Sequence, residues 1–127
     1  MPEISGLELA KRWGISARAL RFYGDRGLIS SRRQGRVRIY SQRDSDRIGL
    51  ILRAKKLGFT LAEIGPMIGV AEGAAPADLR LTAEKCLAQI AHLEGQMKEI
   101  IEALAELRRI HLELCRQAGA AASGERP

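Results

Sequence analysis

The chain has 127 residues and a formal net charge of +6 at pH 7, and this charge is unevenly distributed. Residues 1–68 carry 14 Lys or Arg and six acids, whereas residues 69–127 carry seven bases and nine acids. No apolar run approaches the ~20 residues of a membrane span, and the first residues lack the features of a signal peptide. Two cysteines are too few to form a disulfide framework. We therefore expect a cytoplasmic protein whose basic first half binds nucleic acid.

Two short helices joined by a tight turn are predicted at the N-terminus. Ser5 and Glu8 have the spacing of a capping box, apolar residues follow at helical spacing, and Gly14 ends the first helix. Ser16 then caps a second helix, which Gly27 ends. Two short helices around a glycine-containing turn form a helix-turn-helix, whose second helix enters the major groove of DNA.

A two-stranded wing is predicted after the second helix. Residues 32–36, read as RRQGR, form a basic turn, and the segment after it alternates apolar and polar residues as a half-buried strand does. This alternation predicts that Val37 and Ile39 face the domain. It also predicts that Arg38 and Tyr40 face the phosphates of bound DNA.

Two further helices are predicted next. An S-x-x-D segment at 41–44 opens a helix that runs to about Leu57, and a T-x-x-E segment at 60–63 opens another. Pro66 lies inside the latter and should kink or shorten it. Residues 71–78 are small and flexible, which is typical of a linker.

One long helix is predicted for residues 79–117, followed by a disordered tail at 118–127. Its apolar residues recur at alternating steps of three and four, the pattern of a coiled-coil seam. No second helix in the chain could cover this seam, so a partner is required, most simply a second copy of the chain. The residues predicted to pair the two copies, here called the seam, are Ile90, Leu93, Met97, Ile100, Leu104 and Leu107.

In this order, the segments resemble the MerR family of bacterial transcriptional regulators. The resemblance covers residues 4–68 and rests on short motifs. They are Leu9-Ala10-Lys11, Gly14-Ile15-Ser16, Arg18, Leu20-Arg21-Phe22-Tyr23, Gly27-Leu28, Arg38-x-Tyr40-Ser41 and Leu57-Gly58-Phe59. The implied fold class is all-α with a small β-hairpin wing. A winged helix-turn-helix head at residues 1–70 is followed by a dimerisation helix that forms an antiparallel coiled coil.

The resemblance also implies a mechanism and a set of contact residues. In this family a homodimer binds promoter DNA with an overlong spacer. Binding of a small-molecule effector makes the protein bend and untwist that DNA, so that RNA polymerase can engage. By position, the implied DNA-binding residues are the cap and two arginines of the recognition helix, its second aromatic, and three residues of the wing: Ser16, Arg18, Arg21, Tyr23, Arg36, Arg38 and Tyr40.

The effector is the least specified part of this interpretation. Two cysteines per chain exclude a four-cysteine iron–sulfur cluster, and no cysteine-rich loop follows the long helix. This cysteine-poor pattern is similar to the branch of the family linked to branched-chain or acyclic-terpene catabolism, which implies an organic metabolite as effector. The alternative is a regulator that responds to no small-molecule effector. We also expect no resident cofactor.

One constellation of candidate metal ligands is present. His111 and Cys115 lie four residues apart on one helix face, and in an antiparallel coil centred at Ile100 they would approach Cys86 of a second copy. Three such ligands suit a soft metal ion or a thiol switch. We favour the simpler interpretation, in which Cys86 is a small seam residue and Cys115 a surface thiol, because no spacing motif supports the site. No metal site is therefore predicted.

Two other functions compete with promoter regulation. One is an architectural DNA-binding protein that resembles phage excisionases, although those proteins usually lack a long dimerisation helix. The other is a module whose coil docks a partner while its arginines are merely surface residues. The chain shows no nucleophile–base pair, phosphate loop or clustered carboxylates, so an enzyme is not expected. A palindrome inside an overlong promoter spacer would favour the regulator.

Overall fold

The computed structural model of the chain describes residues 3–70 and 78–124, with side chains to residue 121. This part of the chain is mostly helical, with one small sheet, and it divides into a head, Met1–Ala83, and a long helix from Glu84 onward. The elements are β1 Glu3–Ser5, α1 Gly6–Trp13, α2 Ala17–Asp25, β2 Arg32–Gln34, β3 Val37–Ser41, α3 Gln42–Lys56, α4 Leu61–Met67 and α5 Ala83–Gly124. The predicted helix-turn-helix, wing and long helix are all present.

The first two helices begin and end where local sequence signals place them. Ser5 Oγ accepts a hydrogen bond from the backbone N–H of Glu8 at the start of α1, and Gly14 ends that helix with a φ of 65°. Ser16 Oγ caps α2 in the same way, and the left-handed Gly27 follows its end. These caps satisfy backbone groups that a helix terminus leaves without partners.

The sheet contains a third strand that was not predicted. β3 lies in the centre, antiparallel to β1 on one side and to β2 on the other, with Ile4 opposite Tyr40 and Arg33 opposite Arg38. Gly35, with a φ of 67°, lies in the turn between β2 and β3. We call residues 32–41, which comprise β2, this turn and β3, the wing.

The predicted orientation of β3 is wrong at its two ends. Tyr40 is buried at 3% exposure, whereas Val37 is 47% exposed. Tyr40 pairs with Ile4 of β1, and its ring lies against Gly6 at the start of α1, so β1 and α1 cover the face that the prediction left open to DNA. Val37 lies at the tip of the wing, beyond the reach of this cover.

The last two helices of the head both begin with a complete capping box, formed by Ser41 with Asp44 in α3 and by Thr60 with Glu63 in α4. α4 is short and ends at Met67, one residue after Pro66, in agreement with the prediction of a shortened helix. Both helices contribute to the head's core, whose fully buried aliphatic residues are Leu9, Ile29, Ile48, Ile51, Ile64 and Ile68.

The packing of α1 on α3 depends on a close approach of two residues. The Trp13 Nε1–H donates to Ser45 Oγ at 3.0 Å, and its ring lies over Gly49. A Cβ at Gly49 would lie only 2.7 Å from Trp13 Cη2, so this position accommodates glycine and no larger residue without movement. The Trp13 ring is thus packed against α3 while 36% of the residue stays exposed.

α5 begins later and extends further than predicted. The segment before it belongs to the head: Leu79 and Leu81 pack against the head's core, and the Arg80 N–H donates to the Met67 carbonyl. The helix starts at Ala83 rather than at residue 79 and continues to Gly124, so most of the predicted tail is helical. The predicted linker lies outside the described residues except for its last residue. Within residues 3–70 and 78–124, no helix is long and apolar enough to cross a membrane.

Candidate nucleic-acid interface

The recognition helix α2 separates into an inner and an outer face. Successive residues are about 100° apart around a helix, so Leu20 and Tyr23, three apart, share one side and are buried. Arg18 and Asp25 lie on the side of α2 opposite to Leu20 and Tyr23, and Arg21 lies next to them. All three are exposed. The outer face thus presents two of the predicted contact arginines to solvent.

Ser16 precedes the outer face and has a defined local role. Its hydroxyl accepts from the Ala19 N–H at 3.0 Å, so it is the cap of the recognition helix, as predicted. The residue itself is exposed, and the backbone N–H groups of the first turn lie beside it. Such a helix start favours negative charge through its aligned peptide dipoles.

Tyr23 lies in the core and not on the surface, in contrast to its predicted role as a contact residue. It is 2% exposed, and its hydroxyl accepts a hydrogen bond from Lys55 Nζ at 3.3 Å. The same ammonium group lies 5.7 Å from the centre of the ring. Tyr23 therefore supports the recognition helix from behind, by joining it to the end of α3.

The wing carries the second set of arginines. Arg33, Arg36 and Arg38 are exposed, and Arg38 Nη1 donates to Ser31 Oγ at 3.2 Å. Arg32 forms an ion pair with Glu3 of β1, which attaches the wing to the edge strand. Tyr40, the third predicted wing contact, is only 3% exposed and lies beneath this surface, where it lines part of a cleft.

A cleft of about 340 Å³ connects the recognition helix to the wing. Arg21 and Asp25 line it from α2, Arg38 lines it from β3, and Ser30 and Ser31 form part of its wall. Two arginines from different elements thus border one polar depression. This juxtaposition suits an anionic oxygen, because a guanidinium group forms strong, directional hydrogen bonds to phosphate.

Two buried charged residues of α3 hold the connection between the recognition helix and the wing. Asp44 accepts hydrogen bonds from the backbone N–H groups of Ser30 and Ser41, at 3.1 and 3.0 Å. Arg47 Nη1 donates to the Leu28 carbonyl at 3.3 Å. Sequence reasoning recognised Asp44 only as a helix cap and missed Arg47. A signal was available, since Arg47 lies one turn before Ile51, which the apolar pattern places on the inner side of α3.

The seam of α5 is exposed along its whole length. Its six residues are 39–61% exposed, and neighbouring ion pairs of Glu106 with Arg109 and of Glu113 with Arg116 lie on the helix surface. The Arg116 guanidinium holds the pKa of the Glu113 carboxyl below its usual value. Such pairs, three residues apart, support a helix locally but only weakly, because water screens both exposed partners.

The candidate metal ligands are only partly brought together within one chain. His111 Nε2 and Cys115 Sγ lie 3.5 Å apart, whereas Cys86 is a separate, exposed thiol near the start of α5. The described residues contain no group of three or more His, Cys, Asp or Glu side chains placed to hold a metal ion. One chain alone therefore presents two ligands at most at the end of this helix.

Two family models match the sequence. One, described as "MerR HTH family regulatory protein", matches residues 5–68 and therefore spans half of the chain. The other, described as "MerR, DNA binding", matches residues 45–110. The first corresponds to β1 through α4, and the second runs from α3 into α5.

Curated relatives include two regulatory proteins. The mercuric resistance operon regulatory protein of Bacillus cereus is 40% identical over 67 residues, which is 51% of this chain and 51% of that protein. The HTH-type transcriptional regulator CueR of Salmonella typhimurium is 27% identical over 97 residues, covering 73% of this chain and 68% of CueR. The chain thus spans about half the length of the Bacillus cereus relative that it matches.

Solved structures of similar fold include two regulators. The crystal structure of HiNmlR, described as a MerR family regulator lacking the sensor domain and bound to promoter DNA, has a TM-score of 0.50 at 23% identity, over 97% of this chain and 92% of that chain. A MerR family transcriptional regulator from Bacillus cereus has a TM-score of 0.53 at 23% identity, over 98% and 84%. At this identity the likeness concerns the fold alone.

Proposed function

Because this chain belongs to the MerR family of helix-turn-helix regulatory proteins, we propose that it binds double-stranded promoter DNA as a homodimer and regulates transcription in the cytoplasm. The observation that carries this proposal is the cleft between α2 and the wing, which arginines from both elements border. A surface of this kind can engage a groove and the adjacent phosphates at once. The relatives named above are regulatory proteins and not enzymes, which agrees with this assignment.

In the proposed complex, α2 enters the major groove with its outer face toward the bases. Arg18 and Arg21 are the candidates for base and backbone contacts, since arginine pairs with the acceptor edge of guanine. Arg36 and Arg38 of the wing are assigned to phosphates, which position the head without reading sequence. Ser16 is retained as the helix cap beside the DNA backbone. Tyr23 and Tyr40 are not retained, because both are buried.

Two copies of the chain are proposed to pair through α5. The helix has 42 residues, roughly 60 Å, and all six residues of its apolar seam, from Ile90 to Leu107, are exposed. An exposed apolar stripe of this extent is unfavourable in water, and burying it contributes about 25 cal/mol per Å². The proposed pairing is an antiparallel coil, and the two heads of such a dimer are assigned to successive major-groove segments.

The proposed mechanism at the promoter is deformation of DNA. The structural relative HiNmlR is described as bound to promoter DNA, which supports a promoter as the target here. We assign to this chain an operator with an overlong spacer, whose bending and untwisting allow RNA polymerase to engage. The relatives named above do not support the resemblance to regulators of branched-chain or terpene catabolism, so the proposal specifies no organic effector.

The function is tested by sequencing the genomic DNA that the full-length protein binds in cells. The expected result is enrichment of a palindrome located inside a promoter whose spacer exceeds the usual length. The Arg18→Ala variant, which should fold normally because Arg18 is exposed, serves as the background control. Equal recovery of DNA by both proteins, or enrichment without any promoter, would contradict the proposal. Enrichment at recombination sites would favour the architectural alternative.

A second candidate is regulation by a soft metal ion or by thiol chemistry. It is favoured by the 3.5 Å approach of His111 Nε2 to Cys115 Sγ and by the 40% identity, over 67 residues, to a mercuric resistance operon regulatory protein. Because one chain supplies two ligands there, a third would have to come from Cys86 of a second copy. Such a site would suit a thiophilic ion.

This candidate is tested with Cu⁺ and Hg²⁺, added to the dimer in competition with a coloured chelator. Tight binding that both Cys86→Ser and Cys115→Ser abolish would support it, especially if His111→Ala weakens it as well. Equal metal binding by wild type and both serine variants would contradict it. In that case the two thiols are a small seam residue and a surface residue, as the sequence suggested.

A further inference from the structure

The recognition helix carries an exposed aromatic ring that has no assigned role. Of the adjacent aromatics Phe22 and Tyr23, the sequence favoured Tyr23 as the DNA contact, but the structure reverses their positions. Tyr23 is 2% exposed, whereas Phe22 is 42% exposed. Adjacent helical residues point about 100° apart, so burying one of the pair turns the other outward.

Phe22 lies within the basic outer face of α2 and not beside it. At about 100° per residue, Arg21 and Phe22 flank the outermost position, Arg18, on opposite sides by similar angles. Arg18 lies one turn before Phe22, and Arg26 lies one turn after it. A helix that brings Arg18 and Arg21 to a groove therefore brings the ring of Phe22 to the same groove.

Neighbouring side chains hold the ring in place without covering it. The guanidinium carbon of Arg26 lies 4.9 Å from the centre of the Phe22 ring, which is a cation–π arrangement. The Tyr23 ring lies 6.4 Å away at an angle of 50°. The ring is thus oriented, yet it stays 42% exposed and takes no part in the head's core. Packing within the head does not account for a large apolar group here.

The chemistry of the major groove limits what this ring can recognise. A phenyl ring neither donates nor accepts an ordinary hydrogen bond, so the polar edges of the bases offer it no partner. The apolar group in the groove is the 5-methyl of thymine. We propose that Phe22 is a specificity-determining residue that contacts a thymine methyl group in each half-site. This inference rests on the proposed binding to double-stranded DNA and adds one base identity to it.

The inference is tested with a duplex that the full-length protein selects from a pool of random sequences. Each thymine of that duplex is replaced in turn by deoxyuridine, which removes one methyl group and leaves the base pairing intact. For wild type, one position per half-site should lose about fourfold in affinity, the value of one buried methyl group. The Phe22→Ala variant should bind roughly tenfold more weakly and should be indifferent to deoxyuridine at that position.

Two controls separate contact from structure. Thermal unfolding of Phe22→Ala should match that of wild type, because the ring is not in the core. Phe22→Leu, which keeps an apolar side chain, should keep part of the sensitivity to deoxyuridine. If the alanine variant does not fold, the leucine variant and the wild-type deoxyuridine scan still decide the question.

Several outcomes would overturn the inference. A wild-type protein that tolerates deoxyuridine everywhere does not contact a thymine methyl. A Phe22→Ala variant that remains as sensitive as wild type shows that another residue makes the contact. Unchanged DNA affinity of Phe22→Ala together with lost transcription would assign the ring to a protein partner such as polymerase. These results leave DNA binding itself intact, whereas a wild-type protein that selects no duplex would overturn the proposed function as well.

Discussion

The head and α5 differ in where their apolar side chains lie. Leu9, Ile48 and Ile64, from three different helices of the head, are fully buried, whereas Ile100 and Leu104 of α5 are 59% and 42% exposed. The head buries its apolar residues through contacts between elements that are distant in sequence. α5 has the same kinds of residues at coiled-coil spacing but forms its own unit without such cover. The head therefore has a core of its own, whereas the seam of α5 is the surface that the proposed dimer would bury.

Breaking the seam is expected to have the largest effect. Leu104→Glu would place a carboxylate at a position that the proposed dimer buries, and burying an unpaired charge is strongly unfavourable. We expect the dimer to weaken by about three orders of magnitude, on the order of 4 kcal/mol. Sedimentation should show a monomer whose head still unfolds cooperatively. The matched control is Leu87→Glu, because Leu87 is 67% exposed and is not one of the six seam residues. If both variants dimerise equally well, the seam is not the dimer interface.

Removing a recognition arginine is expected to have the next largest effect. Arg21→Ala should reduce operator affinity by about 10- to 100-fold per head, because a groove arginine contributes roughly 1–3 kcal/mol. Dimerisation and thermal stability should not change, since Arg21 is exposed and lies in the head. Titration of labelled operator at fixed salt measures this effect. Unchanged affinity would show that α2 does not enter the groove as proposed.

A pair of glycine substitutions compares the packing of the two regions directly. Gly49→Ala forces a Cβ to within 2.7 Å of Trp13, so the head should lose about 1–3 kcal/mol of unfolding free energy. Gly95→Ala meets no atom within 4 Å and should strengthen α5 by up to about 1 kcal/mol. The chain has one tryptophan, whose fluorescence reports on the head, and circular dichroism reports mainly on the helices. The stability of the folded protein is expected to fall in Gly49→Ala and to rise in Gly95→Ala. A change in the same direction in both variants would contradict the difference in packing.

The smallest effect is expected at the wing. Arg38→Ala should weaken binding to all DNA sequences alike and lower the salt slope of the binding constant by about one unit. The reason is that a phosphate contact releases about one counterion without reading a base. Affinity is measured for specific and random duplexes across a salt series. If Arg38→Ala lowers the affinity for the specific duplex alone, Arg38 contacts a base and not only a phosphate.

Features encoded within a few residues could be predicted from the sequence. The capping boxes of α3 and α4, the Ser16 cap of α2 and the left-handed glycines all occur where the sequence placed them. Each depends on hydrogen bonds or backbone angles within one turn, so local chemistry suffices. The spacing of the α5 seam is equally local, and the family resemblance carried by the motifs of the head is confirmed.

Features set by contacts between distant segments could not be predicted in the same way. β1 is three residues long, too short for a periodic signal, and it forms because β3 offers it a partner. β1 and α1 together bury Tyr40, which the prediction had turned toward DNA. The segment before Ala83 packs on the head rather than extending the long helix, because Leu79 and Leu81 find a core there.

The recognition helix shows most clearly which features the local sequence determines and which depend on contacts with distant segments. Its ends and its two arginines follow from the sequence, and the spacing of Leu20 and Tyr23 already placed both on one side. Only the tertiary structure shows that Lys55 of α3 meets the Tyr23 hydroxyl and that Phe22 is the aromatic left in solvent. Periodicity defines which residues share a face, but packing against α3 decides which face of α2 is buried and which is left in solvent.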